Sequence, residues 1–260
     1  MYGEQPRMMR MEIVPLPALR DNYIWLQREG KECVVVDPGD PAPVRAYLAE
    51  HALELVGILV THRHNDHIGG IPALLEDRPV PVYGPPSIAV VSHAVREGDT
   101  LQVPGAQLRV WAVPGHTEEH IAYLGEDFVF CGDTIFSAGC GRILGTASAA
   151  EFHASLTRLA SLPGHTRLYC THEYTLANLR FAAMVEPENA ARAAYATRCT
   201  GLREQGLPTV PALLEAELAI NPFLRTAEPA IQASVSQHAG QEMQSPPAVF
   251  AALRAWKDIA

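Results

Sequence analysis

Residues 61 to 67 read Thr-His-Arg-His-Asn-Asp-His, so His62, His64, Asp66 and His67 place three imidazoles and a carboxylate within six positions. Donors of this kind, packed this closely, are the usual ligands of a borderline divalent cation. Without a thiolate among them they do not select sharply between first-row metals. On an extended chain His62 and His64 point to one side. If the backbone then turns into a helix start, Asp66 and His67 aim back at the same region. A solvated polar loop is the plain alternative, but it leaves unexplained why four such donors directly follow an aliphatic run.

Three later donors share that setting. His116 follows a strand and Pro114-Gly115, Asp133 follows a strand and Gly132, and His172 follows Leu168-Tyr169-Cys170-Thr171. Singly, each reads as a loop, hydrogen-bonded or N-cap residue. Jointly, they stand at the C-terminal ends of expected strands, where open α/β sheets gather their sites. The other six histidines, His51, His93, His120, His153, His165 and His238, read as surface or loop residues; His120 lies nearest the cluster in sequence.

The elements that must position these donors follow from the apolar pattern. Cys33 to Asp37 and Leu55 to Val60 are short, aliphatic and β-branched, as buried strands are. Gln107 to Val113, Asp127 to Cys131 and Arg167 to Thr171 are further strands. Pro41 to His51, Ile68 to Glu76 and Ala149 to Leu162 read as helices, the last with Phe152, Leu156 and Leu159 on one face. After about Tyr174 the character changes. Leu176 to Glu186, Glu188 to Gln205, Pro211 to Ile220 and Pro247 to Ile259 favour helix, with Ala, Leu, Glu and Arg dominant. The expected organisation is an α/β domain over residues 1–173 and a helical, substrate-binding domain over residues 174–260.

A chain of 260 residues with 48% apolar residues is long and apolar enough to fold without disulfides. Its five cysteines are odd in number, scattered and form no CxxC, which points to free thiols in a reducing cytosol. A formal net charge of −9 argues against nucleic acid as a partner. No apolar run is long enough to span a membrane. The leader carrying Met1, Met8, Met9 and Met11 has no apolar signal core, and part of it is expected to be unstructured.

The His62-x-His64-x-Asp66-His67 motif with His116, Asp133 and His172 resembles the metallo-β-lactamase superfamily, which implies an αββα sandwich with a dinuclear metal site at one edge. Gly132-Asp133-Thr134-Ile135-Phe136, Ala138-Gly139-Cys140-Gly141-Arg142, Thr171-His172-Glu173-Tyr174-Thr175, Asn221-Pro222-Phe223-Leu224-Arg225 and the segment from Leu253-Arg254 to Lys257-Asp258 are similar to hydroxyacylglutathione hydrolases, also called glyoxalase II. That resemblance runs from Asp21-Asn22-Tyr23 to Asp258. It implies one cation on His62, His64 and His116, a second on Asp66, His67 and His172, and Asp133 bridging them. A place then remains for a bridging hydroxide held by Asp133, with Asp66 available to orient it. Zinc is the first expectation, iron or manganese the alternatives. The implied reaction is hydrolysis of an S-(2-hydroxyacyl)glutathione such as S-D-lactoylglutathione, in methylglyoxal detoxification, by a cytosolic monomer. Arg142, Arg254 and Lys257 would meet the carboxylates of glutathione, and Tyr174 would donate a hydroxyl. Arg254 and Lys257, three apart on an expected helix, share a face. One stretch departs from the family pattern: Arg142-Ile143-Leu144-Gly145-Thr146 is one residue shorter than usual and lacks an aromatic.

Other readings of the same fold compete. A mono-iron oxidoreductase acting on glutathione persulfide would need only a reduced ligand set, whereas all seven positions are filled. A nucleic-acid-processing or merely metal-binding member is opposed by the charge and by the complete ligand set. Hydrolysis of β-lactams usually comes with export, for which no signal is seen.

Overall fold

The computed structural model describes residues 11–260; the part of the methionine-rich leader before Met11 lies outside them. The first sheet is built from β1 (Glu12–Ala18), β2 (Asn22–Glu29), β3 (Glu32–Val36), β4 (Glu54–Leu59), β5 (Val82–Gly84) and β6 (His93–Ala94), in that order. Helices α1 (Pro41–His51), α2 (Asn65–Ile68) and α3 (Ile71–Asp77) come from its connections. Asn22 to Gln27 are buried without a break. Both faces of this sheet are covered, which is why its strands read as continuous apolar runs instead of alternating ones. Ile24, Leu26, Val35 and Ile58 meet Val44, Ile71 and Leu74 on the helical side. Tyr23, Trp25, Val34, Val36 and Leu59 face the second sheet.

That sheet contains β7 (Thr100–Val103), β8 (Ala106–Ala112), β9 (Ile121–Leu124), β10 (Phe128–Gly132), β13 (Arg167–Cys170) and β14 (Ala212–Leu213), ordered β14-β13-β10-β9-β8-β7. A small ribbon, β11 (Ile135–Phe136) with β12 (Gly139–Cys140), stands beside it. Helix α4 (Ala149–Ala160) covers its outer face and is opened by a capping box in which Ser148 and Glu151 satisfy each other's backbone. The layers are thus helix, sheet, sheet, helix.

From residue 174 onward the chain is mainly helical: α5 (Thr175–Val185), α6 (Ala190–Glu204), α7 (Leu214–Ile220), α8 (Pro229–Ala239) and α9 (Pro246–Ile259). This segment also returns β14 to the edge of the second sheet, beside β13. Its last helix packs on α4, with Phe152 and Phe250 ring centroids 5.5 Å apart.

Three sequence expectations change. The helix expected over Ile68 to Glu76 is broken at Gly69-Gly70 into α2 and α3. The helix expected from Pro211 begins only at Leu214, because Ala212 and Leu213 pair with β13. Helix α8 and strands β1, β2, β5 to β7, β9, β11 and β12 were not anticipated; of these, the strands of two to four residues are too short to show a period.

Candidate metal centre

Strand direction brings the donors together. β9 is antiparallel to both β8 and β10, and β13 is parallel to β10. So β8, β10 and β13 run the same way, and His116, Asp133 and His172 emerge at one edge. β4 delivers Thr61 and His62 to that edge from the facing sheet. Gly132 makes the approach possible: at φ +48, a Cβ there would lie 2.5 Å from Thr61 Oγ1 and 2.8 Å from the His120 ring.

All seven expected donors converge. His64 Nδ1 lies 2.9 Å from His62 Nε2 and 3.0 Å from His116 Nε2. Asp66 Oδ2 lies 3.5 Å from His67 Nε2 and 3.4 Å from His172 Nε2. Asp133 stands between the two groups: Oδ1 is 3.4 Å from His67 Nε2, and Oδ2 is 3.5 Å from His116 Nε2 and 3.4 Å from His172 Nε2. His62, His64 and His116 form one set that could hold an ion, and Asp66, His67 and His172 another.

The rings are held from behind so that lone pairs face inward. The Arg142 carbonyl can only accept, so His116 Nδ1 donates to it at 2.8 Å and Nε2 is left free. Thr61 Oγ1 donates to Asp37 Oδ2 at 2.7 Å and accepts from His62 Nδ1 at 3.1 Å. Asp37 Oδ2 is also 3.0 Å from His67 Nδ1. His172 Nδ1 donates to Asp21 Oδ1 at 2.9 Å, and Asn22 Nδ2 donates to Asp66 Oδ2 at 3.0 Å.

The donor set fits cations. His67 Nε2 and Asp133 Oδ1 are buried and have no hydrogen-bond partner, an arrangement that a bound ion satisfies. Burial lowers the pKa of His62, His64 and His116, which keeps them neutral and able to ligate. Burial also opposes charge on His172, but Asp133 and Asp66 outweigh it and lift its pKa to about 10. A cation arriving there competes with protons, so metal uptake releases them.

His120 corrects the sequence reading. It is fully buried, not a surface or loop residue. Its Nε2 accepts the Asp133 backbone N–H at 3.1 Å, and its ring stacks on His62 with centroids 4.6 Å apart. A lone histidine four residues after His116 gave no sequence signal of this. Asp37, another residue missed, did carry one: like Asp133, it ends an apolar strand.

Beside the centre lies a cavity of about 450 Å³ whose lining includes His116, Asp133, Arg142, Tyr174, Arg254 and Lys257. Tyr174 stacks flat on His172, with centroids 4.6 Å apart and planes 3° from parallel. Arg142 is 70% exposed and 3.6 Å from Asp258. Lys257 Nζ bonds Asn178 Oδ1, and burial lowers its pKa to about 8. Arg254 is buried. Its guanidinium donates to the carbonyls of Cys140 and Gly141 at 3.0 and 3.2 Å and to Asp258 at 3.0 Å. It therefore fixes the wall of the cavity, whereas the sequence resemblance places it, with Arg142 and Lys257, among the cations that would meet the glutathione carboxylates.

An αββα sandwich with a histidine–aspartate centre at the edge of its sheets defines the metallo-β-lactamase superfamily, and the model of that superfamily matches residues 18–172. Residues 173–260 match the family model described as the hydroxyacylglutathione hydrolase C-terminus. Hydroxyacylglutathione hydrolases from Nitrosomonas eutropha and Pseudomonas aeruginosa are 45% and 47% identical to this chain, over 95% of it and 98% and 99% of their own lengths. The crystal structure of ETHE1 from Myxococcus xanthus is 25% identical, covers 96% of this chain and 99% of its own, and superposes with a TM-score of 0.65. The chain belongs to the hydroxyacylglutathione hydrolase family.

Proposed function

We propose that this enzyme hydrolyses S-(2-hydroxyacyl)glutathione thioesters, such as S-D-lactoylglutathione, to glutathione and a 2-hydroxy acid, the closing reaction of methylglyoxal detoxification. The observation that carries the reading is a seven-donor centre opening on a cavity with cations on its wall. His62, His64 and His116 would hold one divalent cation, Asp66, His67 and His172 the other, and Asp133 would bridge them. Zinc suits these nitrogen and oxygen donors, as do iron and manganese. Two such cations supply Lewis acidity toward the thioester carbonyl and bring the pKa of water to about 7.

The protein's own groups then set position. Asp133 spans the two donor sets, and Asp66 Oδ2 faces the same space, placed to orient the attacking water. The leaving thiolate has a conjugate acid of pKa about 8.5, so its departure needs little help from a general acid. Lys257 and Arg142 offer positive charge for glutathione carboxylates against the acidic overall field, and Tyr174 offers a hydroxyl at the mouth of the cavity. The five cysteines are free and buried, in keeping with a reducing cytosol. Among the described residues no helix is long and apolar enough to cross a membrane. Asp66 and His67 complete a second cation set, which is more than a mono-iron oxidoreductase requires.

The test is to follow free thiol released from S-D-lactoylglutathione by the purified protein, with elemental analysis of the same sample. Turnover that disappears on chelation and returns with added Zn²⁺ is expected. Absence of metal-dependent turnover defeats the reading.

A further inference from the structure

The turn joining β1 to β2 and the first residue of β2 touch two residues of the same donor set. Asp21 accepts from His172 Nδ1, and Asn22 donates to Asp66 Oδ2 and also, at 3.4 Å, to the Asp66 carbonyl. The turn is itself fastened to the end of β13: Tyr23 N–H donates to the Thr171 carbonyl at 2.6 Å, and Glu173 N–H to the Asp21 carbonyl at 2.9 Å. Tyr23 Oη adds a bond to Glu173 Oε2 at 2.9 Å. Asn22 is only 5% exposed, so water does not readily replace it. His62 and His116 are held by other groups, Thr61 and the Arg142 carbonyl.

The geometry points to Asp21 and Asn22 as positioning residues for the Asp66–His67–His172 set alone, tuning the affinity of one cation while leaving the other unchanged. Asp21 keeps the His172 proton on Nδ1 and raises the basicity of Nε2. Asn22 occupies one lone pair of Asp66 Oδ2 and fixes the rotamer that turns the other inward. Partners of this kind are worth about 10- to 100-fold in metal affinity. The inference rests on the two-cation reading above.

The experiment titrates the full-length, metal-stripped protein with Zn²⁺ against a chromophoric chelator, which resolves two dissociation constants. Melting of each metal-stripped variant reports whether it is folded. In Asp21→Ala and in Asn22→Ala one constant weakens about 10- to 100-fold and the other stays within about two-fold. Asp21→Asn retains an acceptor oxygen and the side-chain shape, so it shows a smaller loss on that same constant. It also keeps the test decisive if Asp21→Ala does not fold. Two constants that weaken together, or neither moving, overturn the inference. A wild-type protein that takes up fewer than two ions overturns instead the two-cation reading on which it stands.

Discussion

Glu217 on α7 is completely buried. Its carboxylate accepts from Ser137 Oγ at 2.9 Å, the Ala138 N–H at 2.7 Å and Asn221 Nδ2 at 3.0 Å, all neutral donors. Burial raises its pKa from 4.5 to about 7 despite those bonds. A carboxylate raised in the folded state costs stability when ionised. The cost is absent below the unfolded value, grows between pH 4.5 and 7, and is complete above pH 7. At about 1.4 kcal/mol per pH unit, the full cost is about 3 kcal/mol. Glu217→Gln removes it with little loss of bonding. The amide oxygen replaces Oε2 as acceptor for Ala138 and Asn221, and the amide nitrogen donates to Ser137 Oγ. The Ser137 proton then turns to Tyr195 Oη, 3.2 Å away. The variant is expected to be more stable than the parent by about 3 kcal/mol at pH 8, and by less than about 1 kcal/mol at pH 5. For a chain of this size that is a gain of roughly 6–12 °C in melting temperature at pH 8. Calorimetric scans of both proteins at each pH, at one scan rate, measure the difference. An advantage equal at the two pH values, or a variant less stable at pH 8, refutes the reasoning.

Asp133→Ala removes the group between the two donor sets, so elemental analysis and thiol release should fall together; full turnover with two ions retained contradicts its bridging place. The Lys257 ammonium loses its proton as pH rises through about 8, so KM for the glutathione thioester should rise above pH 8 while kcat changes less, and Lys257→Arg should flatten that profile in initial-rate measurements. Arg254→Ala leaves the Cys140 and Gly141 carbonyls without their donor, and thermal unfolding should report a loss of about 2–4 kcal/mol together with reduced kcat/KM; a change in KM at unaltered stability would assign the residue to substrate instead.

The donor cluster was legible because it is local. Four donors fall within six residues, and the other three each follow a recognisable strand. What strand direction does with them, placing three strand ends at one edge, is consistent with those expectations. The groups behind the donors were not legible. Asp21 closes the β1–β2 turn and Asn22 opens β2; nothing local to them marks a role at the centre, because their partners are 151 and 44 residues away. Glu217 looks like an ordinary helix-surface glutamate until Ser137 and Ala138, about 80 residues distant, close over it. Arg254 was legible as a cation near the cavity, but no pattern in sequence separates a guanidinium that meets backbone carbonyls from one that meets a ligand. The shortened stretch after Arg142 now has a structural reading. Leu144 N–H donates to the His116 carbonyl at 3.0 Å, so this loop leans on the centre without the missing aromatic.

The placement of β14 bears on how the chain matures on the ribosome. Every one of the seven donors has been synthesised once residue 172 has emerged, yet β13 still presents a bare edge, and Phe152 and Leu156 still lack the helix that covers them. Unpaired edges and uncovered aromatics are what partly made chains aggregate through. Severing the chain near residue 173 would freeze it in that condition, so its two halves are poor candidates for separate expression or for exchange between relatives.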